Sequence, residues 1–219
     1  MTEKEELLEE LYKKSMERYD RELSEEYRIM HVGDRILRTE EIRYMLHYAL
    51  QNANDHIFIS CPWLFYDADT ENTFLRMTTK GLDRNTLESK EFDLTLLDKY
   101  KISKDCVSVE DELKALAKRK VDIVIQYGYS DEDNKKSDNA IEELRKKKFH
   151  LNVGAGGIII KKMPYNHQKI LIMDYSLLIV GSYNFLSFPG AIDDVGYRKE
   201  RAYMTDDDRT IQRAWDAVL

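Results

Sequence analysis

The stretch that decides the fold occupies residues 167–184 and reads HQKILIMDYSLLIVGSYN. Two apolar segments, 170–173 and 177–180, flank a short turn at residues 174–176. This pattern predicts a β-hairpin with buried strands. Polar side chains stand at the open end of the hairpin, namely His167, Lys169, Ser182 and Asn184. Because polar groups at the ends of buried strands are costly unless they are paired or used, this end is a candidate functional site.

The spacing of these polar residues predicts how their side chains project. Along an extended segment, side chains two residues apart point to the same face. His167 and Lys169 should therefore project together, and Ser182 and Asn184 should return beside them in the hairpin. An imidazole, an ammonium, a hydroxyl and a carboxamide in one cluster suit the binding of a phosphodiester and attack on its phosphorus.

Outside the hairpin, helical and strand patterns alternate from residue 39 onward. Buried strands are predicted at 56–61, 121–127 and 158–160, with shorter strands at 149–153 and 201–204. Helices are predicted from Thr39 to about Ala53, from the capping residue Ser108 through Lys120, and from about Asp138 to Lys148. A terminal helix should be capped by Thr205 or Asp206. The pattern indicates an α/β domain with helices on both faces of a mixed sheet.

Two regions stand apart from this rhythm. Residues 1–33 contain a narrow apolar stripe at steps of three and four, typical of an amphipathic helical arm. The arm could lie along its own domain, or serve dimerisation or docking of a partner protein. Residues 34–219 form the expected catalytic domain, with an insertion at about 64–107 in which residues 94–100 have helical spacing.

The composition is that of a globular protein, with 42% hydrophobic and 34% charged residues among 219. No apolar run is long enough to cross a bilayer, and the acidic N-terminus does not resemble a signal peptide. Cys61 and Cys106 are too few for a disulfide framework, which favours a cytoplasmic location. The net charge is −7, but residues 113–204 hold 16 Lys+Arg against 11 Asp+Glu, a surplus of five positive charges. This half therefore permits a nucleic-acid partner.

The motif His-x-Lys-x(4)-Asp-x(6)-Gly-Ser-x-Asn, formed by residues 167–184, resembles the signature of the phospholipase D superfamily. The resemblance is strongest over residues 108–204 and extends to 36–62. It does not cover 1–30 or most of 64–107. It implies a phospholipase D-like layered α/β/α domain with a mixed central sheet.

The resemblance also implies roles for individual residues, without a metal or a cofactor. His167 would be the nucleophile that forms a phosphohistidine, or the general acid for the leaving oxygen. Lys169 and Asn184 would bind phosphoryl oxygens, and Ser182 would hydrogen-bond within the site. Asp174 would be structural, tying the turn to nearby backbone. Glu200 would accept a hydrogen bond from the histidine ring and orient it.

This chemistry needs two histidines, one to attack and one to protonate, and the chain carries the motif once. None of the other histidines (His31, His47, His56, His150) has a lysine two residues later. The resemblance therefore implies a homodimer in which each subunit contributes one His167.

The leading hypothesis is a dimeric, metal-independent nuclease that acts on DNA or RNA. Lys161, Lys162 and Trp63 are further candidates for substrate contact. Lipid hydrolysis or phosphatidyl transfer is one alternative, and a non-catalytic phosphate-binding scaffold is another. Small nucleases of this superfamily serve in bacterial antiphage defence, which we carry as a hypothesis for the biological role.

Overall fold

A computed structural model describes residues 34–88, 92–102, 107–147, 157–187 and 199–218. The predicted helical arm at 1–33 and the predicted strand at 149–153 lie outside the described residues. Among the described residues, no helix combines the length and the apolar character needed to cross a bilayer.

The described chain contains nine strands and six α-helices. The strands are β1 (Arg35–Arg38), β2 (His56–Ser60), β3 (Tyr66–Asp67), β4 (Asn72–Thr73), β5 (Asp122–Tyr127), β6 (Ile158–Lys162), β7 (Ile170–Met173), β8 (Leu177–Gly181) and β9 (Arg201–Thr205). The helices are α1 (Thr39–Asn52), α2 (Arg84–Glu88), α3 (Leu94–Lys99), α4 (Val109–Lys118), α5 (Asp131–Lys146) and α6 (Asp208–Val218).

Seven strands form one sheet in the order β1-β9-β8-β7-β2-β5-β6. The strands β2, β5 and β6 run parallel, whereas β2–β7, β7–β8, β8–β9 and β1–β9 are antiparallel pairs. The mixed sheet is confirmed. So is the hairpin, which closes with Met173 opposite Leu177.

Helices cover both faces of the sheet, as predicted, but unequally. The larger core joins one face to side chains of α1, α4 and α5, such as Leu46, Leu113 and Leu144. The smaller core lies on the opposite face, where α6 contributes Ile211 and Trp215. Burial of these apolar side chains is the main force that holds the layers together.

Two helix boundaries differ from prediction for local reasons. The helix α5 begins at Asp131 instead of about Asp138. The prediction missed its first two turns because they are polar and show no apolar periodicity. There the buried Ser137 hydroxyl accepts a hydrogen bond from the backbone N–H of Leu64, at 3.0 Å. The cap of α6 is Asp207, not Thr205 or Asp206, because its carboxylate accepts a 2.8 Å hydrogen bond from the backbone N–H of Thr210.

The predicted insertion contributes to the core. It contains the β3–β4 pair, α2 and α3, and its side chains Phe74, Leu87 and Leu96 are fully buried in the larger cluster. Sequence reasoning also missed β1, which is only four residues long and pairs with β9 at the sheet edge.

Candidate active site

The polar residues singled out in the sequence converge at one end of the central strands of the sheet. The parallel strand β2 ends there, and the antiparallel strand β7 begins there, with Ser60 opposite Ile170. The strand β8 ends beside them at Gly181, and β9 starts opposite, with Gly181 paired to Ala202. This end of the strands brings together five residues that we call the strand-end site, namely His167, Lys169, Ser182, Asn184 and Glu200.

Gly181 is needed because the strands approach closely at this edge. A Cβ atom at position 181 would lie 2.4 Å from the carbonyl oxygen of Arg201 and 2.5 Å from the Cα of Ala202. Both are backbone atoms, so no side-chain rotation could relieve the overlap. The glycine of the motif thus lets β8 and β9 deliver Ser182 and Glu200 to the same place.

Lys169 is the buried cation of the strand-end site. Its side chain is largely withdrawn from solvent, and its Nζ donates a hydrogen bond to the carbonyl oxygen of His167 at 2.9 Å. Burial lowers the pKa of its ammonium group, and the negative charge of Glu200 acts in the opposite direction. Within the described part of the chain, Lys169 forms no ion pair. Lys169 therefore has no carboxylate at ion-pair distance among the described residues, and the more distant Glu200 compensates its charge only in part.

His167 differs from Lys169 in being exposed to solvent. No described residue forms a hydrogen bond with its ring nitrogens, while the ring itself packs against Tyr129 with a centroid distance of 5.4 Å. An accessible imidazole with unengaged nitrogens can act as a nucleophile or as a proton carrier.

Ser182 and Glu200 form the second half of the site. The Ser182 hydroxyl donates to the Glu200 carboxylate, and the backbone N–H of Arg201 donates to that hydroxyl at 3.2 Å. The backbone N–H of Glu200 donates to the Thr39 hydroxyl at 2.8 Å, which fixes its position at the start of α1. The expected hydrogen bond from the His167 ring to Glu200 is not formed among the described residues. Glu200 instead engages Ser182.

The register departs from simple alternation at this point. Val180 pairs with Ile170, so regular strands would direct Ser182 and Lys169 to opposite faces of the sheet. Both strands end here, however, and Glu200 connects the two groups by accepting from Ser182 and attracting the Lys169 charge. Alternation alone had predicted that these groups share one face of the sheet. They meet instead at the ends of the strands.

Asn184 follows the end of β8 and is partly buried. On either side of it, Tyr183 and Phe185 are fully buried and pack edge to face, with centroids 5.8 Å apart. They anchor the segment in the core, so Asn184 is held rigidly. Its buried Oδ1 atom has no hydrogen-bond partner among the described residues. A buried polar atom of this kind is costly, which is typical of a binding site.

Asp174 lies at the opposite end of the hairpin. Its carboxylate accepts hydrogen bonds of 2.9–3.0 Å from the backbone N–H groups of Asn54, Asp55 and His56. These bonds tie the turn to the start of β2, which is the structural arrangement expected of Asp174.

Sequence reasoning missed Asn166, a residue that supports the motif. The buried side chain of Asn166 donates to the Ser60 hydroxyl at 3.0 Å and accepts from the backbone N–H of Gln168 at 3.0 Å. It thereby fixes the segment that carries His167 to the end of β2. The thiol of the adjacent Cys61 is buried, which raises its pKa to about 12, so it is no competing nucleophile. The signal for Asn166 was its position directly before the motif histidine.

The further candidates for substrate contact, Lys161, Lys162 and Trp63, lie outside the strand-end site. Lys162 forms an ion pair with Asp138 at 2.6 Å and is engaged within its own neighbourhood. Lys161 lies on β6, three strand positions or about 14 Å from β7. Trp63 follows the end of β2 and reaches His167 only through Tyr129, a residue that sequence reasoning did not identify.

Two other histidines are described, and neither can complete the site. His47 is buried and paired with Glu112 at 2.8 Å. His56 begins β2 and therefore lies about 13 Å from Ser60, at the other end of the strand. Neither of the two other described histidines therefore lies in the strand-end site.

Several solved structures are similar to this chain at low sequence identity. NucT from Helicobacter pylori is 15% identical with a TM-score of 0.47, over 84% of this chain and 91% of NucT. The phospholipase D family member Nuc from Salmonella typhimurium is 14% identical with a TM-score of 0.46, over 84% and 90% of the two chains. A phosphatidylserine synthase from Haemophilus influenzae Rd KW20 is 11% identical with a TM-score of 0.45, over 83% of this chain and 36% of the synthase.

No known protein family model matches the chain, and no curated protein sequence does so either. The structural similarities are modest in overall fit, so the geometry of the strand-end site carries the functional inference.

Proposed function

We propose that this chain is a phosphodiesterase of the phospholipase D superfamily that cleaves nucleic acid through a phosphohistidine intermediate. The observation that carries the proposal is the buried Lys169, whose ammonium donates to the backbone carbonyl of His167, the residue that carries the accessible imidazole. A buried cation without a paired carboxylate is strongly unfavourable unless an anion binds to it. A phosphodiester supplies that charge and also presents an electrophilic phosphorus to the histidine.

The roles of the remaining groups follow from their positions. Lys169 stabilises the negative charge on the phosphoryl oxygens, and the side-chain N–H of Asn184 donates a further hydrogen bond to them. The Ser182 hydroxyl, held by Glu200, completes the polar wall of the site. Each of these groups is fixed by the backbone of the sheet, so little reorganisation is required when charge develops in the transition state.

In the first step, a ring nitrogen of His167 attacks phosphorus and forms a nitrogen–phosphorus bond. The oxygen–phosphorus bond to the leaving strand breaks, and that oxygen takes a proton from a second histidine. In the second step, this histidine removes a proton from water, which attacks the phosphohistidine and releases the phosphate end. Water is the co-substrate, the nitrogen–phosphorus bond to His167 breaks as water adds, and no oxidant or reductant is needed.

The second histidine is proposed to be His167 of another copy of the chain. His47 is sequestered by Glu112, and His56 is at the far end of β2, so neither can protonate the leaving oxygen. A two-fold axis through the strand-end site would place two identical imidazoles on opposite sides of one phosphorus.

The decisive experiment measures cleavage of labelled DNA and RNA in excess EDTA, together with the mass in solution. We expect cleavage by a dimer, and its loss in His167→Ala. His56→Gln is the matched control, because it removes an imidazole outside the site and should leave the rate unchanged.

Three other outcomes would contradict the proposal. Turnover of phospholipid vesicles without cleavage of nucleic acid would show a lipid phosphodiesterase. Phosphate binding without any turnover would show a scaffold. A fully active monomer would refute the shared site. A role in antiphage defence remains a hypothesis, which phage-challenge assays with His167→Ala would test.

A further inference from the structure

A row of aromatic rings leads away from the nucleophile along the strand-end edge. Tyr129 packs against His167 with centroids 5.4 Å apart, and Trp63 packs against Tyr129 with centroids 6.0 Å apart. Tyr129 is 40% exposed and Trp63 is partly exposed. The phosphoryl chemistry proposed above has no use for these two rings.

The two rings lie at equivalent positions in the sheet. Trp63 follows the carboxyl end of β2, and Tyr129 follows the carboxyl end of β5, the strand parallel to it. Loops that follow the carboxyl ends of adjacent parallel strands are a common place for ligand binding. The row therefore lies where a substrate that reaches His167 would pass.

Backbone hydrogen bonds hold these loops together as one surface. The N–H of Gly128 donates to the carbonyl of Pro62 at 2.9 Å, and the N–H of Met163 donates to the carbonyl of Tyr127 at 2.7 Å. Gly128 has φ +128°, and a Cβ there would lie 2.4 Å from the carbonyl oxygen of Met163. Only glycine allows this approach, and the aromatic row is consequently held rigid before any ligand binds.

The backbone of Tyr129 has an additional anchor. Its N–H donates to the side-chain oxygen of Asn134 at 2.9 Å, and Asn134 is itself buried in the first turn of α5. The Trp63 and Tyr129 rings meet at 63°, so they do not cover each other as parallel stacked rings would. A flat ligand can therefore be received against them.

We propose that Trp63 and Tyr129 form a stacking platform for a nucleobase adjacent to the scissile phosphate, which makes single-stranded nucleic acid the substrate class. The platform rests on the proposed function, since His167 must hold the phosphate beside it. In a duplex, both faces of a base are covered by its neighbours, so only an unstacked base can bind to aromatic side chains. Sequence-tolerant recognition follows, because every base offers such a face.

The platform can be tested by fluorescence. The chain has two tryptophans, and Trp215 is buried on the opposite face of the sheet, so Trp215→Phe leaves Trp63 as the sole reporter. Adding His167→Asn prevents cleavage during the titration. Three probes of equal length are compared: oligothymidylate, an abasic strand and a duplex, each about 12 nucleotides long.

We expect oligothymidylate to quench Trp63 and to bind about tenfold more tightly than the abasic strand. Tyr129→Leu should reduce the affinity for oligothymidylate toward that of the abasic strand, whereas Tyr129→Phe, which keeps the ring, should not. Equal quenching by the abasic strand, or equal affinity for the duplex, would overturn the platform. The quenching result stands without any platform variant, so a folding defect in Tyr129→Leu does not obscure it.

Cleavage in EDTA separates the two proposals. If the wild-type protein cleaves base-bearing and abasic strands at the same rate, and Tyr129→Leu cleaves normally, the platform fails while the nuclease proposal stands. If no nucleic acid is cleaved under any condition, the nuclease proposal fails, and the platform fails with it as a substrate site.

Discussion

Two buried polar regions of this protein are built in opposite ways. Between α1 and α4, the side chains of His47, Gln51 and Glu112 form a closed cluster, in which Glu112 accepts one 2.8 Å hydrogen bond from Gln51 and shares another of the same length with His47. In the strand-end site, the buried Lys169 has only a backbone carbonyl, and Asn184 keeps an unpartnered buried oxygen among the described residues. A closed cluster stabilises the fold, whereas an incomplete one leaves interactions for a ligand.

The largest expected effect is on the phosphodiesterase activity proposed for the strand-end site. His167→Ala should reduce phosphodiesterase activity by about 10³-fold or more, because both the nucleophile and its proton-transfer counterpart are lost in the dimer. Its side chain is exposed, so the midpoint of thermal unfolding should change little. Single-turnover kinetics and thermal melts measure the two quantities. A variant that lost activity by unfolding would not support the assigned role.

Replacing Lys169 should separate activity from stability. Lys169→Met keeps most of the apolar stem but removes the charge, so activity should fall about 10²-fold. The unfolding free energy should not decrease, because burial of the ammonium destabilises the wild-type fold and the substitution removes that cost. The matched substitution Lys161→Met, on β6, should have a much smaller effect on activity. A strong loss of stability in Lys169→Met would contradict the view that its charge is uncompensated.

The same charge predicts a dependence of stability on pH. The pKa of Lys169 is lowered by burial from its usual 10.5, so the unfolded chain holds this proton over a range in which the folded chain has released it. The unfavourable contribution is complete below the folded pKa, and it disappears as the pH rises through the window up to 10.5. The difference in unfolding free energy between Lys169→Met and the wild type should therefore shrink over that window. Denaturant unfolding at several pH values measures it.

In the closed cluster the effect should fall on stability alone. Glu112→Leu removes the partner of the buried His47 ring and one hydrogen bond of Gln51, and should cost about 2 kcal/mol or more of unfolding free energy. Glu112→Gln retains both hydrogen-bonding positions and should cost less. The double variant His47→Leu, Glu112→Leu should cost less than the sum of the two single variants, as a double-mutant cycle would show. A specific loss of activity in correctly folded protein would mean that the two regions are coupled.

The smallest expected effect concerns the positioning residue Asn166. Asn166→Ala removes its bonds to Ser60 and to the backbone before Lys169, so the rate constant of the chemical step should fall about tenfold. The Michaelis constant should change little, because Lys169 still binds phosphate. Asn166→Asp retains the acceptor for Gln168 N–H and should recover part of the rate. An increase confined to the Michaelis constant would instead assign Asn166 to binding.

Much of the site could be anticipated from sequence because its members are close together along the chain. The spacing from His167 to Asn184 spans one hairpin, and local periodicity is sufficient to predict a hairpin. Glu200 was placed at the site, yet its partner was not foreseen, because its contact with Ser182 depends on the pairing of β8 with β9 and lies outside the hairpin. Tyr129 was missed, since its proximity to His167 depends on parallel pairing across residues distant in sequence.

The fold was anticipated in its layers but not in its details. Alternating helices and strands predicted a mixed sheet, whereas the order of its strands depends on long-range pairing. The polar first half of α5 had no apolar period to reveal it, and the insertion had no rhythm although Phe74 and Leu96 are core residues. Burial in these segments is achieved by tertiary contact, which local patterns do not encode.

The carboxylate of Asp174 has a consequence at a distance. It grips the start of β2 about 23 Å along the chain from His167, so it fixes how far the hairpin can slide against its neighbour. A two-residue slip would preserve the buried faces but carry the histidine past the end of β2. Asp174 thus fixes the position of His167, the proposed nucleophile, relative to the end of β2. The six-residue motif therefore contains His167 and, at the opposite end of the hairpin, the residue Asp174 that fixes where His167 lies.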